Sequence, residues 1–349
     1  MKKLGFVVVA VLVVGCGDNR ESSGPTVDSG ADASGNPAVA RGQYIMNVLG
    51  ACTFCHTPLL PNGTRDPARL LAGVDCFFDA DSPDGLDNMN GSGCLSTRNL
   101  TNHETGLKNA TDEQIKNAFR NGIRTDGKKI APVMPYWIFH NMSDEDADAV
   151  VAYLRTVPGV DHQVQANQVP WSMYNDGTIP PVAYVNPDSE IPFPRGGANN
   201  QRAMRGRYLS AMTGLCIDCH TPELGAPGTL PLDFSKAFAG GRVFPSAALG
   251  LIDPSYPALI MTRNITSDAT GLKGWTREQI KNTIAEGRDL NNNQVCAATH
   301  GGAISPYAAL EPQDLDDIVE YIYNLPPTAN DTVTCTDPGC GDCAGPPVP

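Results

Sequence analysis

The sequence lacks an excess of positive charge and a long apolar segment. It has 25 Lys and Arg against 38 Asp and Glu, a formal net charge of −13. This balance argues against nucleic acid as a partner, because binding a phosphate backbone requires clustered cations. The apolar run 4–14 is too short to anchor the chain across a bilayer, which takes about 20 residues. The acidic surface fits either docking to a basic protein or simple solubility.

Aromatic residues are also scarce, at 7%, although hydrophobic residues make up 41% of the chain. A length of 349 residues leaves room for two domains of ordinary size. Two hydrophobic cores of that size would have few large flat side chains to fill them. Any large flat cofactor bound in each domain would help to fill its core.

The first residues are typical of an export signal. Lys2 and Lys3 precede the apolar run, and Val13-Val14-Gly15-Cys16 resembles a bacterial lipobox. We predict that 1–15 is a signal peptide, that Cys16 is lipidated, and that 16–36, rich in Gly, Ser and Asp, is a flexible tether. Loss of Lys2 and Lys3 makes the net charge −15. The alternative is ordinary cleavage nearby, with Cys16 as a spare thiol.

Two copies of Cys-x-x-Cys-His carry the chemistry of the chain, at 52–56 and 216–220. This spacing is the covalent attachment signature of haem c: two thiols reach two vinyl groups of one porphyrin, and the adjacent His binds the iron. The attachment residues are Cys52, Cys55, Cys216 and Cys219, with His56 and His220 as proximal ligands. A redox-active Cys pair needs no such His, and a zinc site needs two more soft ligands for each copy. The sequence therefore predicts two haem c groups.

The remaining cysteines fit an oxidising compartment. Of eleven Cys, one is assigned to lipid and four to haem, which leaves six. An even remainder in an exported protein indicates disulfides. Cys76 and Cys94 bracket one insertion and are predicted to pair. The pairing of Cys296, Cys335, Cys340 and Cys343 stays open.

The strongest organisational signal is an internal repeat. Arg-Gly-x-Tyr occurs at 41–44 and 205–208, Arg-Asn-(Leu/Ile)-Thr at 98–101 and 263–266, and Thr-Gly-Leu at 105–107 and 270–272. Capping boxes begin a helix at Thr111 and at Thr276, and Gly122 and Gly287 end those helices. Apolar spacing predicts that each haem motif lies at the C-terminal end of an amphipathic helix. An apolar stripe in each copy predicts a last helix.

These boundaries give an all-α fold with two tandem haem-binding domains. The first spans 37–158 and the second 201–328, joined by an inter-domain strap at 159–200 that is rich in Pro, Gly and Asn. The tail, 329–349, contains three Cys and is predicted to be an extension pinned by disulfides.

Together these motifs resemble class I cytochromes c. The chain is similar in particular to the cytochrome c subunits of bacterial membrane-bound alcohol and aldehyde dehydrogenases, over roughly 37–158 and 201–328. The resemblance implies electron transfer, a redox partner that includes a dehydrogenase, and a location on the periplasmic side of a membrane. Those subunits usually carry three haems, whereas this chain has two motifs.

The resemblance also implies the sixth iron ligand. A Met-Pro before the last helix supplies it in class I cytochromes, and here that is Met134, with Met142 as a rival that we assign to the core. The second copy has Thr299 at this position and His300 next to it, so we expect His300 to be the ligand. Met261 is a weaker rival. The alternative is an iron with an open or water-bound sixth position.

General haem chemistry predicts two further contacts in each copy. The carbonyls of Pro58 and Pro222 would accept the second ring proton of the proximal histidines. Arg98 and Arg263 would pair with haem propionates, because buried carboxylates need cations.

Three classes of function are compatible with this pattern. The first is a membrane-tethered relay that passes single electrons between redox partners, without catalysis of its own or as the electron-transfer subunit of an oxidoreductase. The second is a dihaem peroxidase with an open iron in the second domain, which would need an acid–base residue near 290–310. No persuasive motif for that residue occurs there. A ligand-binding or redox-sensing lipoprotein is a third class.

Overall fold

The structure is a computed structural model. It describes residues 35–60, 64–78, 93–225, 230–245, 257, 259–292, 295, 300, 305–332 and 340–341. The predicted signal peptide, Cys16 and most of the tether lie outside these ranges, as do Cys296, Thr299, Cys335 and Cys343.

Helices dominate the described residues. The first repeat contains α1 (Pro37–Tyr44), α2 (Cys52–His56), α3 (Asp112–Asn121), α4 (Tyr136–Phe139) and α5 (Asp144–Leu154). Helix α6 (Trp171–Asn175) lies in the strap. The second repeat contains α7 (Gln201–Ala211), α8 (Cys216–Cys219), α9 (Arg277–Glu286) and α10 (Pro312–Tyr323). Both capping boxes form as predicted, and Gly122 and Gly287 end α3 and α9 at φ values of 65° and 64°. Ser143 caps α5, and Pro312 lies in the first turn of α10.

One local prediction was wrong: the helix before each haem motif does not run into the motif. After α1 the chain forms a π-helix, Ile45–Leu49, and Ala51 takes a left-handed conformation at φ 46° before α2 begins. In the second repeat α7 ends at Ala211, and α8 begins separately at Cys216. The π turn and the left-handed Ala51 therefore break the helix between Tyr44 and Cys52.

The first and last helices of each repeat cross at very close range. A Cβ added to Gly42 of α1 would lie 1.9 Å from the carbonyl oxygen of Ala149 in α5. A Cβ added to Gly206 of α7 would lie 1.9 Å from the carbonyl oxygen of Asp317 in α10. Only glycine allows backbones to approach so closely. This contact explains the Gly of both Arg-Gly-x-Tyr motifs.

Two small sheets accompany the helices, which the all-α prediction did not include. Strand β1 (Val74–Phe78) pairs antiparallel with β2 (Leu95–Thr97), and β3 (Val243–Pro245) pairs antiparallel with β4 (Leu259–Met261). Strand β5 (Cys340–Gly341) adds to β4 in parallel, which fixes part of the tail on the second repeat.

The strap follows the surface of both repeats. Its start is tied to the first repeat, where the Nδ2 of Asn99 donates to the carbonyls of Val160 (2.9 Å) and His162 (3.3 Å). Its end reaches the second repeat, where Arg195 donates to the carbonyl of Tyr323 at 2.6 Å. One apolar cluster then continues through both repeats. The repeats therefore share a core rather than forming two separate bodies.

Candidate functional site

Each haem motif begins a short helix that presents its cysteines on one side. Cys52 and Cys55 lie in α2, and Cys216 and Cys219 begin and end α8. None of the four is in a disulfide, and each is half-buried. Because the members of each pair are three residues apart on a helix, their sulfurs face the same direction.

The thiols are not tuned for disulfide exchange. Burial raises the pKa of Cys52 to about 12 and of Cys55 to about 11, and it raises the pKa of both Cys216 and Cys219 to about 12. Redox-active pairs have lowered pKa values instead. A zinc site is equally poorly supported, since the part of the chain that the structure describes brings together no group of three or more His, Cys, Asp or Glu side chains.

Both proximal histidines are held in the tautomer that a metal ligand needs. The Nδ1 of His56 lies 2.8 Å from the carbonyl oxygen of Arg98, and the Nδ1 of His220 lies 2.8 Å from that of Arg263. A carbonyl can only accept, so each Nδ1 carries the proton and each Nε2 keeps a free lone pair. Burial lowers the pKa of both rings, which keeps them neutral.

The predicted role of Pro58 and Pro222 was therefore wrong. The Pro58 carbonyl accepts from the backbone N–H of Asp66 at 2.8 Å, and the Pro222 carbonyl accepts from that of Asp233 at 2.7 Å. These bonds close the loop after each motif. The histidine partners come from the Arg-Asn-(Leu/Ile)-Thr segment, more than forty residues later in the chain.

That segment is fixed by an asparagine whose role the sequence analysis missed. The Oδ1 of Asn99 accepts from the N–H and the hydroxyl of Thr101, at 2.9 and 2.8 Å. Asn264 binds Thr266 with the same two distances. In both repeats the amide nitrogen then ties down the extended chain after the last helix. The signal was present in the sequence, since this Asn occurs at the same place in both copies.

Met134 lies in the turn before α4. Its N–H donates to the Ala131 carbonyl at 3.1 Å, and its own carbonyl accepts from the N–H of Tyr136 at 2.8 Å. The side chain is half-buried against the shared core. Met142 is 3% exposed and belongs to that core, as predicted. Met261 lies in β4, paired with Val243.

His300 faces the proximal histidine of the second repeat. The ring centroids of His220 and His300 are 6.0 Å apart, and their planes are tilted by 33°. Tyr307 stacks on the other side of His300, at 5.7 Å. Burial, together with the nearby His220, lowers the pKa of His300 to about 3, so this ring is neutral as well.

The spacing of these two rings fits a shared metal ion. A metal bound by one nitrogen of each ring at about 2 Å requires ring centres roughly 6 Å apart, because each centre lies about 1 Å behind its nitrogen. The Nδ1 of His300 is buried and has no hydrogen-bond partner among the described residues. With the two thiols of α8 beside His220, the donor set of the second repeat fits haem c.

Arg98 and Arg263 differ in their surroundings. The side chain of Arg98 lines a polar cavity of about 390 Å³ together with Arg124, Lys128 and Asp176. Burial and the nearby Arg124 lower the pKa of Arg98. Arg263 donates instead to the Thr332 carbonyl. Propionate pairing stays a prediction for both residues.

Cys76 and Cys94 form the disulfide that the sequence predicted. It joins the middle of β1 to the residue directly before β2. Among the helices of the described ranges, none combines the length and hydropathy that crossing a membrane requires.

Residues 39–158 match the family described as cytochrome c. The chain is 31% identical over 201 residues to the fructose dehydrogenase cytochrome subunit of Gluconobacter japonicus, an alignment that covers 57% of this chain and 37% of that protein. It is 28% identical over 293 residues to the cytochrome c subunit of the quinone alcohol dehydrogenase of Gluconacetobacter polyoxogenes, covering 83% and 56%. A diheme cytochrome c-type protein of Cereibacter sphaeroides is 32% identical over 127 residues, covering 36% and 37%.

The chain thus spans between 37% and 56% of the length of these relatives. The names of these relatives describe dehydrogenase subunits and a diheme cytochrome, which gives the peroxidase alternative no support. The haem-attachment motif at 52–56 lies inside the matched family region. Residues 39–158 thus match the cytochrome c family, and the chain is similar over most of its length to the cytochrome c subunits of bacterial dehydrogenases.

Proposed function

We propose that the chain is a dihaem cytochrome c that relays single electrons between redox partners, with one haem c bound by each repeat. One observation carries this proposal. Both repeats place a neutral imidazole with a free Nε2, oriented by a backbone carbonyl, beside two protonated thiols on one side of a short helix. Haem iron supplies a one-electron couple when it is bound at such a site.

The two repeats would differ in their sixth ligand. Met134 offers a thioether to the first site, and His300 offers an imidazole to the second, supported by its position 6.0 Å from His220. A thioether favours the reduced state relative to an imidazole, so the first site would hold an electron more tightly. Electrons would then enter at the second repeat and leave from the first. A redox titration with one coincident midpoint for both sites would remove this directional argument.

Binding of carbon monoxide tests the ligand set directly. We expect the reduced wild-type protein to show no shift of its Soret band, because Met134 and His300 occupy both sixth positions. His300→Ala should open one site and Met134→Ala the other, so each variant should bind about one equivalent per chain. His103→Ala is the matched control, since this half-exposed ring bonds Thr105 and should change nothing. Carbon monoxide binding by the wild type that His300→Ala leaves unchanged would refute ligation by His300.

The relatives support a dehydrogenase as the electron donor, because they are named as subunits of such enzymes. We propose that this chain serves one in the same way. Cross-linking in native membranes followed by mass spectrometry should recover a dehydrogenase subunit. Recovery of soluble carrier proteins alone would contradict this partner.

We also propose that a lipid on Cys16 holds the protein on the periplasmic side of a membrane. Cys16→Ser should release the protein to the soluble fraction while leaving two haems per chain in a pyridine haemochrome assay. A variant that stays in the membrane fraction would show that another contact holds the chain there.

A further inference from the structure

The two repeats are joined by a crossed pair of tyrosines. The Oη of Tyr208, in α7, accepts from the N–H of Ser143 at 3.1 Å. The Oη of Tyr44, at the end of α1, accepts from the N–H of Glu311 at 3.2 Å. Ser143 and Glu311 directly precede α5 and α10. Each tyrosine therefore satisfies a backbone donor at the start of the last helix of the other repeat.

Each tyrosine also lies beside a buried carboxylate of the opposite repeat. Tyr208 donates to Oδ2 of Asp146 at 2.7 Å, and Arg41 binds the same carboxylate through Nε and Nη2 at 2.8 Å each. Burial raises the pKa of Tyr208 to about 12, and Asp146 acts in the same direction. Both partners thus keep the protonation states that the hydrogen bond requires.

The other side of the joint has a similar set of charges, but there the carboxylate is held by ion pairs and not by a hydrogen bond from the tyrosine. Arg205 pairs with Asp314, which is 1% exposed, and Arg41 approaches the same carboxylate at 3.7 Å. Burial raises the pKa of Tyr44, and the neighbouring Asp314 acts in the same direction. Because Arg41 contacts carboxylates of both repeats, the two sides form one network. We call this network the tyrosine interlock; its members are Arg41, Tyr44, Asp146, Arg205, Tyr208 and Asp314.

The two haem-attachment motifs approach each other at the same joint. A Cβ added to Gly50 would lie 3.4 Å from the carbonyl oxygen of Thr213, and one added to Gly214 would lie 3.5 Å from that of Leu49. Gly50 and Gly214 each stand two residues before the first cysteine of a motif. A methyl group at either glycine would touch the other segment, so the chain segments that lead into the two motifs lie close together.

We propose that Tyr44 and Tyr208 are positioning residues, which hold the two attachment motifs at one fixed angle so that the haems bound there form a coupled pair. This inference rests on the proposed function, since it requires two haems. Each hydroxyl bonds the start of the last helix of one repeat from the helix that precedes the attachment motif of the other. The two bonds therefore restrain rotation of one repeat against the other.

Circular dichroism of the haem-loaded full-length protein tests the proposal. Two like chromophores at a fixed short separation give a band of two opposite signs in the Soret region, and its amplitude depends on their mutual angle. We expect this signal in the wild type. The double variant Tyr44→Phe/Tyr208→Phe keeps both rings and removes only the hydroxyls, and it should lose most of the amplitude. Each single variant should lose part of it.

Tyr184→Phe is the matched control. Its hydroxyl donates to the Asn121 carbonyl at 3.2 Å, away from the joint, so the two-signed band should remain. A pyridine haemochrome assay on every variant separates this inference from the proposed function, because fewer than two haems in the wild type would refute the function itself. Two haems without a two-signed band would overturn only the coupled pair. An unchanged band in the double variant would overturn the positioning role, even if its melting temperature fell.

Discussion

Replacing Gly42 by Ala should destabilise the protein although Ala is the better helix former. The added Cβ would lie 1.9 Å from the Ala149 carbonyl oxygen and 2.9 Å from the Cβ of Tyr153. An ordinary contact between carbon and oxygen is about 3.3–3.6 Å. Helices α1 and α5 would therefore have to separate by roughly 1.5 Å. The obstacle is backbone, so no side chain can rotate away to make room.

The expected magnitude follows from two opposing contributions. Overpacking of a tight contact costs about 1–3 kcal/mol, and a backbone obstacle belongs at the upper end of that range. The gain in helix propensity returns about 1 kcal/mol. We expect a net loss of about 2 kcal/mol, which lowers the melting temperature of a chain of this size by roughly 3 °C. Gly206→Ala should behave alike, because its Cβ would lie 1.9 Å from the Asp317 carbonyl oxygen.

Thermal unfolding of the haem-loaded protein, followed by far-ultraviolet circular dichroism, measures this loss. Ala40→Gly is the matched control: Ala40 is an exposed residue of the same helix, and its replacement should cost only about 1 kcal/mol of propensity. A Gly42→Ala variant at least as stable as the wild type would show that α1 and α5 do not approach as the structure describes.

Two further predictions concern acid and reducing conditions. Burial alone would raise the pKa of Asp146, but the hydrogen bonds from Arg41 and Tyr208 lower it below the value of 3.8 in the unfolded chain. The stabilisation of the folded state by ionised Asp146 is thus complete above about pH 4 and is lost as the pH falls further. We therefore expect Asp146→Asn to flatten the decline of the free energy of unfolding between about pH 4 and 2. An equally steep decline in the variant would contradict this assignment. The Cys76–Cys94 disulfide closes a loop with a sequence separation of 18. Its removal by Cys76→Ser/Cys94→Ser should cost about 3 kcal/mol in denaturant unfolding, and unchanged stability would show that the chain-entropy argument fails here.

Much of the local structure was predictable from the sequence, because its causes are local. A capping box needs only Thr111 and the residue three positions later, and a left-handed C-cap needs only Gly122. The attachment cysteines and the proximal histidines followed from five consecutive residues. For the same reason the disulfide between Cys76 and Cys94, which brackets one insertion, was within reach.

The contacts that were missed or wrong are long-range. The carbonyl that orients His56 belongs to Arg98, and nothing in the sequence near His56 distinguishes it from the Pro58 carbonyl. The break between α1 and α2 depends on a π turn, which apolar spacing does not reveal. The role of Tyr44 required knowing that the last helix of the other repeat begins beside it.

A comparison of the two repeats distinguishes residues that build the common backbone structure from residues that would set the properties of each haem site. The motifs that both copies share, including Asn99 with Asn264 and Gly42 with Gly206, make the same backbone contacts in each repeat. These shared residues fix where each histidine stands and how the halves meet. The copies differ in the segment of the predicted sixth ligand, where Met134 has no methionine counterpart. Because a symmetrical scaffold alone would give two equivalent sites, we infer that this segment contributes to the direction of electron flow in the proposed relay.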